Sequence, residues 1–167
     1  MGGSEESFLD EGELDFFPED YFEEPTPALK EYDPNYRHSK CPAFKEYYKN
    51  TWVMKQSFPL GLIYKSTEKL LETNLGQDTF DEYFMLGDGW LDGTHPEVQF
   101  KQGYCFWTED SDVWIEQFQH PDMTRKGLDV VSGTFPISVW QRPINLGFTV
   151  KTYDKNIWIE KGSPLCY

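Results

Sequence analysis

Cysteine and histidine are scarce in this chain, three of each in 167 residues. No apolar run approaches the roughly 18 residues of a membrane-spanning helix. The cysteines, Cys41, Cys105 and Cys166, are odd in number and far apart. That spacing argues against a disulfide framework and against a zinc site of closely paired ligands, and it fits reduced cytosolic thiols. Lys and Arg form no run, so a broad basic surface for nucleic-acid backbone is not expected. Gly-x-Ser-x-Gly does not occur, which leaves a Ser-His-Asp hydrolase without its motif. Gly87-Asp88-Gly89 lacks the lysine and the helix that follow in a phosphate-binding loop. The His-x-His pair of cupins is also missing. The first residues, MGGSEES, have neither a basic nor an apolar signal region, and Glu6 stands where N-myristoylation requires Ser or Thr.

What is present is unevenly placed. The chain carries 29 acids, 15 bases and a formal net charge of −14. Residues 1–27 hold ten of those acids and no Lys or Arg, which leaves 19 acids and 15 bases, or −4, for residues 28–167. Like charges at such density oppose compaction. The same segment carries Phe8, Leu14, Phe16, Phe17, Tyr21 and Phe22. It reads either as an acidic solubilising tail or as a docking arm whose aromatics enter a groove while its acids meet a basic rim. Residues 28–40 read as an extended connector pinned to the body by Tyr32 and Tyr36.

The remaining residues are 17% aromatic when counted with the whole chain, enough for a packed core. Cys41–Asn50 predicts a short helix: Pro42 suits the first helical position, and Phe44, Tyr47 and Tyr48 share a face. Cys41 at its amino end is read as a buried structural thiol rather than a nucleophile. Strands are expected over Trp52–Ser57, Leu60–Tyr64, Thr79–Leu86, Leu128–Val131, Thr134–Trp140, Ile144–Tyr153 and Asn156–Glu160. Residues 66–77 fit a helical turn or a strand. Polar loops are expected at 87–96 and 119–127. Leu165-Cys166-Tyr167 either pairs at a sheet edge or marks a chain that stops before its natural end.

Gln99–Gln119 is the most patterned stretch. Tyr104 and Phe106 alternate with Cys105 and Trp107, Glu109-Asp110-Ser111-Asp112 follows, and Val113, Ile115 and Gln117 then alternate with Trp114, Glu116 and Phe118. Period two around a polar turn predicts an antiparallel hairpin. Both faces carry large apolar residues, so it should be central and covered twice: by a second sheet, and by the Phe44 helix, the arm or a partner. The expected fold is mainly β, an antiparallel β-sandwich of jelly-roll type, with one short helix and an acidic N-terminal arm. The expected units are the arm 1–27, the connector 28–40 and the sandwich 41–167.

Two constellations carry possible chemistry. His95-Pro96-Glu97 fits the His-x-Asp/Glu half of a facial iron triad, with His120 as the distal ligand and Arg125 for a co-substrate carboxylate, as in Fe(II)/2-oxoglutarate oxygenases. Trp90, Trp107, Trp114, Trp140 and Trp158, with Tyr104 and Tyr153, fit either a sugar-stacking platform or, as large aromatics usually do in small β domains, the core.

Cys41-Pro42-Ala43-Phe44, Asn50-Thr51-Trp52-Val53, Gly103-Tyr104-Cys105-Phe106-Trp107-Thr108, Pro143-Ile144-Asn145-Leu146-Gly147-Phe148 and Glu160-Lys161-Gly162-Ser163-Pro164-Leu165-Cys166 together resemble uncharacterised β-sandwich proteins carried by T4-like tailed phages, cyanophages among them, and by some bacteria. The resemblance covers about residues 40–167 and excludes the arm. Chains of that family usually continue past the Pro-x-Cys strand. The resemblance implies a phage-borne sandwich acting in the cytoplasm of the infected host or on the virion. The leading expectation is a non-enzymatic protein without cofactor. Its arm and loops dock a host or virion protein or a second copy, away from membranes and nucleic-acid backbone. The alternatives are the iron oxygenase and a carbohydrate-binding module.

Overall fold

The computed structural model describes residues 24–33, 35, 37–87, 95–101, 104–140 and 142–167. The chain begins there with a two-residue strand β1 (Thr26–Pro27), helix α1 (Ala28–Glu31), a 3₁₀ turn (His38–Lys40) and helix α2 (Pro42–Tyr48). Strands β2 (Trp52–Lys55), β3 (Leu60–Lys65) and β4 (Leu70–Thr73) follow, then α3 (Gln77–Tyr83), β5 (Phe84–Gly87) and β6 (Glu97–Phe100). The rest comprises β7 (Trp114–Gln117), α4 (Pro121–Arg125), β8 (Leu128–Val130), β9 (Gly133–Pro136), β10 (Leu146–Val150), β11 (Ile157–Ile159) and β12 (Pro164–Cys166). The fold is mostly β, in antiparallel sheets ordered β1-β2-β12, β5-β6-β10-β8, β11-β3-β4 and β7-β9.

The four-stranded sheet and the β11-β3-β4 sheet share one core. Val98, Phe100, Leu146, Phe148, Val150, Leu128 and Val130 come from the first, and Leu60, Leu62, Leu71, Ile157 and Ile159 from the second. Phe80 and Tyr83 of α3, Met123 of α4 and Leu165 and Cys166 of β12 also belong to it. Each full burial of a Leu, Ile or Phe contributes about 1.5–3 kcal/mol, so these alternating strand rows supply most of the stability. The expected strands at 128–131, 134–140, 144–153 and 156–160 all form but are shorter, and β9 begins one residue early, at Gly133. Leu165 and Cys166 lie in β12, which pairs with β2 at the edge of its sheet.

The central hairpin does not form. Glu97–Phe100 pairs with β5 and β10, whereas Trp114–Gln117 pairs with β9; Tyr104–Thr108 is in no strand. The alternation is real, since Cys105 and Trp107 are exposed while Tyr104 and Phe106 are half-covered. Alternation fixes which face is covered and leaves the pairing partner open. The turn is also real: the Asp110 amide donates to Thr108 Oγ1, and Asp112 adopts a φ of 61°. The double cover expected for this element fails too, because Trp114 and Glu116 face outward.

Helices are more numerous than the one expected. α2 lies where the sequence placed it, but α1 occupies the presumed extended connector, and α3 and α4 replace a strand and a loop. In α3, Phe80 and Tyr83 stand three apart and both reach the core, a helical spacing that takes Gln77–Tyr83 out of the strand expected over Thr79–Leu86. In α4, His120 caps the amino end with Nδ1 accepting from the Asp122 amide at 3.2 Å, and Pro121 needs no partner for its nitrogen. Gly127 ends this turn at a φ of 77°, and a Cβ there would overlap the Thr152 hydroxyl. Only glycine fits that position without displacement. β2 and β3 join different sheets, so Phe58-Pro59 is a bend.

Candidate functional site

A second, smaller cluster binds the amino-terminal elements to the body. Ala28, Val53 and Tyr167 are buried together, with Tyr32, Tyr48 and Phe118 packed around them. Tyr32 and Tyr167 share a 2.5 Å hydroxyl–hydroxyl bond. The Tyr48 ring lies 5.2 Å from both, and Phe44 closes on Tyr32 at 4.7 Å. Burial pushes the phenols of Tyr48 and Tyr167 up, so they remain neutral hydrogen-bonding groups. Lys55 bonds Glu31 at 2.8 Å beside this latch and holds the Glu31 carboxyl below its ordinary value. Tyr32 thus pins the connector as expected; Tyr36 lies outside the described residues.

The proposed iron ligands sit in three different settings. His95 stacks on Tyr153 at 5.6 Å, its Nδ1 3.4 Å from Lys151 Nζ. Glu97 lies in β6, only 2% exposed, against Gly87 on one side and Gly147 on the other. Its Oε2 has no hydrogen-bond partner among the described residues. His120 caps α4 and lies 4.8 Å from the Tyr167 ring, with burial lowering its pKa against the opposing pull of Asp122. Arg125 pairs with Asp122. Among the described residues no three His, Cys, Asp or Glu side chains are grouped to hold a metal.

The arm residues Phe8, Leu14, Phe16, Phe17, Tyr21 and Phe22 lie outside the described residues, as do Trp90 and most of the 87–96 loop. Cys41 is exposed at the α2 amino end, which corrects its reading as a buried thiol: α2 packs through Phe44 and Tyr48 and turns its first turn outward. Cys105 is also exposed, while burial pushes the Cys166 thiol up to about 12.

The tryptophans are the unexpected finding. Trp52, Trp107, Trp114, Trp140 and Trp158 are all at least 36% exposed, and Trp107 reaches 72%. The core is built of Phe, Leu, Ile and Val. Trp114 and Trp140 both attach to the β7–β9 ribbon: Trp114 stands opposite Pro136 in the ladder, whereas the Trp140 ring lies 5.9 Å from Phe135, which faces the other side. Val139, 74% exposed, precedes Trp140 in the same turn. This ribbon contributes no residue to the main core. Large aromatics left outside a core that the rest of the chain fills are the residue type most concentrated at binding hot spots.

Charge is segregated within the body as well. Residues 28–55 carry six bases and three acids, or +3. Residues 66–87 carry five acids and one base, or −4. No family model, curated protein or solved structure matches the chain.

Proposed function

We propose that this is a non-enzymatic interaction protein. Its β body takes a partner protein on an aromatic surface, and its acidic arm, residues 1–27, contributes charge to the same encounter. The observation that carries this reading is the placement of every described tryptophan on the surface. Trp and Tyr offer large contact area at small conformational cost and dominate measured binding energies. The four- and three-stranded sheets sharing a core support a β-sandwich architecture. The arm's aromatics Phe8, Leu14, Phe16, Phe17, Tyr21 and Phe22 are its docking groups, and the positive 28–55 region favours their approach to the body. The resemblance to proteins of tailed phages favours a partner in the infected host's cytoplasm or in the virion.

The test is affinity capture with three baits: the full chain, the chain lacking residues 1–23, and Trp114→Ser/Trp140→Ser. The truncation spares β1, which pairs with β2. A partner identified by mass spectrometry should be lost or reduced with the second and third baits. An identical set of captured proteins from all three would sink the reading. The same exposed tryptophans also favour a second reading, a carbohydrate-binding module, in which Trp107, Trp114 or Trp140 stacks on sugar rings. That version requires a tryptophan fluorescence change on titration with glycans, and flat titrations across a glycan panel remove it.

A further inference from the structure

Two strand edges border one groove. β4 is the last strand of its sheet, paired with β3, and β5 is the last strand of the four-stranded sheet, paired with β6. An open groove of about 550 Å³ runs between them. Leu70, Leu71, Glu72 and Thr73 all line it, and so do Met85 and Leu86. Consecutive strand residues point to opposite faces. A groove touched by neighbours in sequence on both walls therefore follows the strand edges and not the sheet faces. Its floor, Leu75, Phe80 and Phe84, belongs to the core. Among the described residues, the Phe84 amide donates to the Phe80 carbonyl at the end of α3, and no other turn or loop backbone hydrogen bond reaches residues 70–73 or 84–87.

Sheet edges are ordinarily protected by lysine, proline, a bulge or a covering element. Here the exposed edge side chains are apolar: Leu70, Met85 and Leu86 are 45–52% exposed. The two charged side chains that line the groove are acidic, with Lys65 and Lys101 at its border. Glu72 and Asp81 line the groove, and the surrounding 66–87 segment carries −4. Glu72 Oε1 is held by Lys65 at 2.6 Å, while its buried Oε2 has no partner among the described residues.

We propose that this groove is a strand-addition site for an extended segment of a partner protein in which apolar residues alternate with Lys or Arg. The segment pairs with β5 and lengthens the four-stranded sheet. One row of its side chains packs on the apolar floor, and the basic row meets Glu72 and Asp81. Main-chain pairing supplies affinity and the alternate side chains supply selectivity. Charge decides among occupants. The chain's own arm carries −10 and is repelled by the rim, and a second copy would set the same acids against one another. This surface is distinct from the aromatic ribbon and the arm, so its failure leaves the reading of those elements standing, and theirs leaves this one.

The test uses the full chain and fluorescein-labelled peptides of about eight residues, enough to span either wall. One set alternates Lys with Val, Ile or Leu; a control keeps the lysines but replaces the apolar residues with proline, which cannot donate to a ladder. Binding of an alternating peptide should slow amide exchange across 84–87. It should also weaken at least about tenfold in Leu86→Ser and in Leu70→Ser. Both positions are half-exposed, and unchanged melting of the variants confirms that they fold. The proposal is overturned if the proline control binds as well, since charge alone then suffices. It is equally overturned if no alternating peptide protects 84–87, or if the free protein sediments as a dimer that Leu86→Ser dissociates.

Discussion

The main core and the tyrosine latch hold the same chain together by different physics. Among the described residues, twenty buried side chains, nearly all aliphatic or phenylalanine, make the core and join three sheets and two helices. The latch buries only Ala28, Val53 and Tyr167 and relies on a hydroxyl pair and a ring of half-buried aromatics. Burial scales with apolar area removed from water, whereas a hydroxyl pair contributes net about 0.5–1.5 kcal/mol. The α1–α2 region can therefore open while the sheets stay closed, because local stability follows local buried contact.

The comparison can be broken most forcefully from the core side. Phe148→Ala should cost about 3–5 kcal/mol and expose Cys166 to alkylation in the same transition that melts the sheets. Reaction of Cys166 without loss of sheet signal would show that core and latch are not separate. Gly127→Ala should cost more than about 2 kcal/mol, because the new methyl must displace Thr152 in a backbone conformation that alanine resists. A loss within experimental error would mean the α4–β8 turn relaxes freely. Glu97→Leu should raise stability by about 1–3 kcal/mol in urea titration by removing an unpartnered carboxyl from the sheet; a loss instead would reveal a stabilising partner.

The latch should respond on a smaller scale. Tyr32→Phe should cost about 1 kcal/mol and speed amide exchange in α2 while leaving β6 and β10 unchanged. Equal acceleration in both regions would make the latch part of the global unit. Acid should act most weakly. His120 has its pKa lowered by burial, so the unfolded chain binds the proton more readily. Its contribution is therefore complete above the ordinary histidine value of about 6.5 and declines as pH falls through the lowered folded value. Protonation of Nδ1 also removes the acceptor for the Asp122 amide. The loss should stay under about 1 kcal/mol, since the ring is half-exposed and its charge is screened. His120→Asn, which keeps a cap acceptor but does not titrate, should flatten the melting-temperature profile between about pH 7 and 5.

Local patterns carried the strands of the second half, α2 and the edge position of Leu165-Cys166, because each depends on residues close in sequence. Pairing did not follow from them. The alternation at Tyr104–Trp107 and Val113–Phe118 specified extended chain with a covered face, yet β7 found β9 and not its nearer neighbour. The strand expected over Thr79–Leu86 forms only from Phe84 on, because Phe80 and Tyr83 satisfy helical spacing and α3 takes them. His120-Pro121-Asp122 carried a helix-start signal that was legible all along. The tryptophans inverted the ordinary rule that large aromatics fill small β cores. Composition alone does not tell which aromatics are surplus to the core. The groove between β4 and β5 was invisible for a related reason: an edge is defined by the strand that is missing beside it.

Sheet β1-β2-β12 pairs residues made early with residues made late. On the ribosome, Trp52–Lys55 emerges long before Pro164–Cys166, and at about 5–20 residues per second the interval is several seconds. During that time β2 has β1 beside it but lacks β12, and Tyr32 and Tyr48 lack Tyr167. The amino-terminal region is therefore assembled last although it is synthesised first. Its bases and aromatics meet whatever else is in reach before the chain's own final strand arrives.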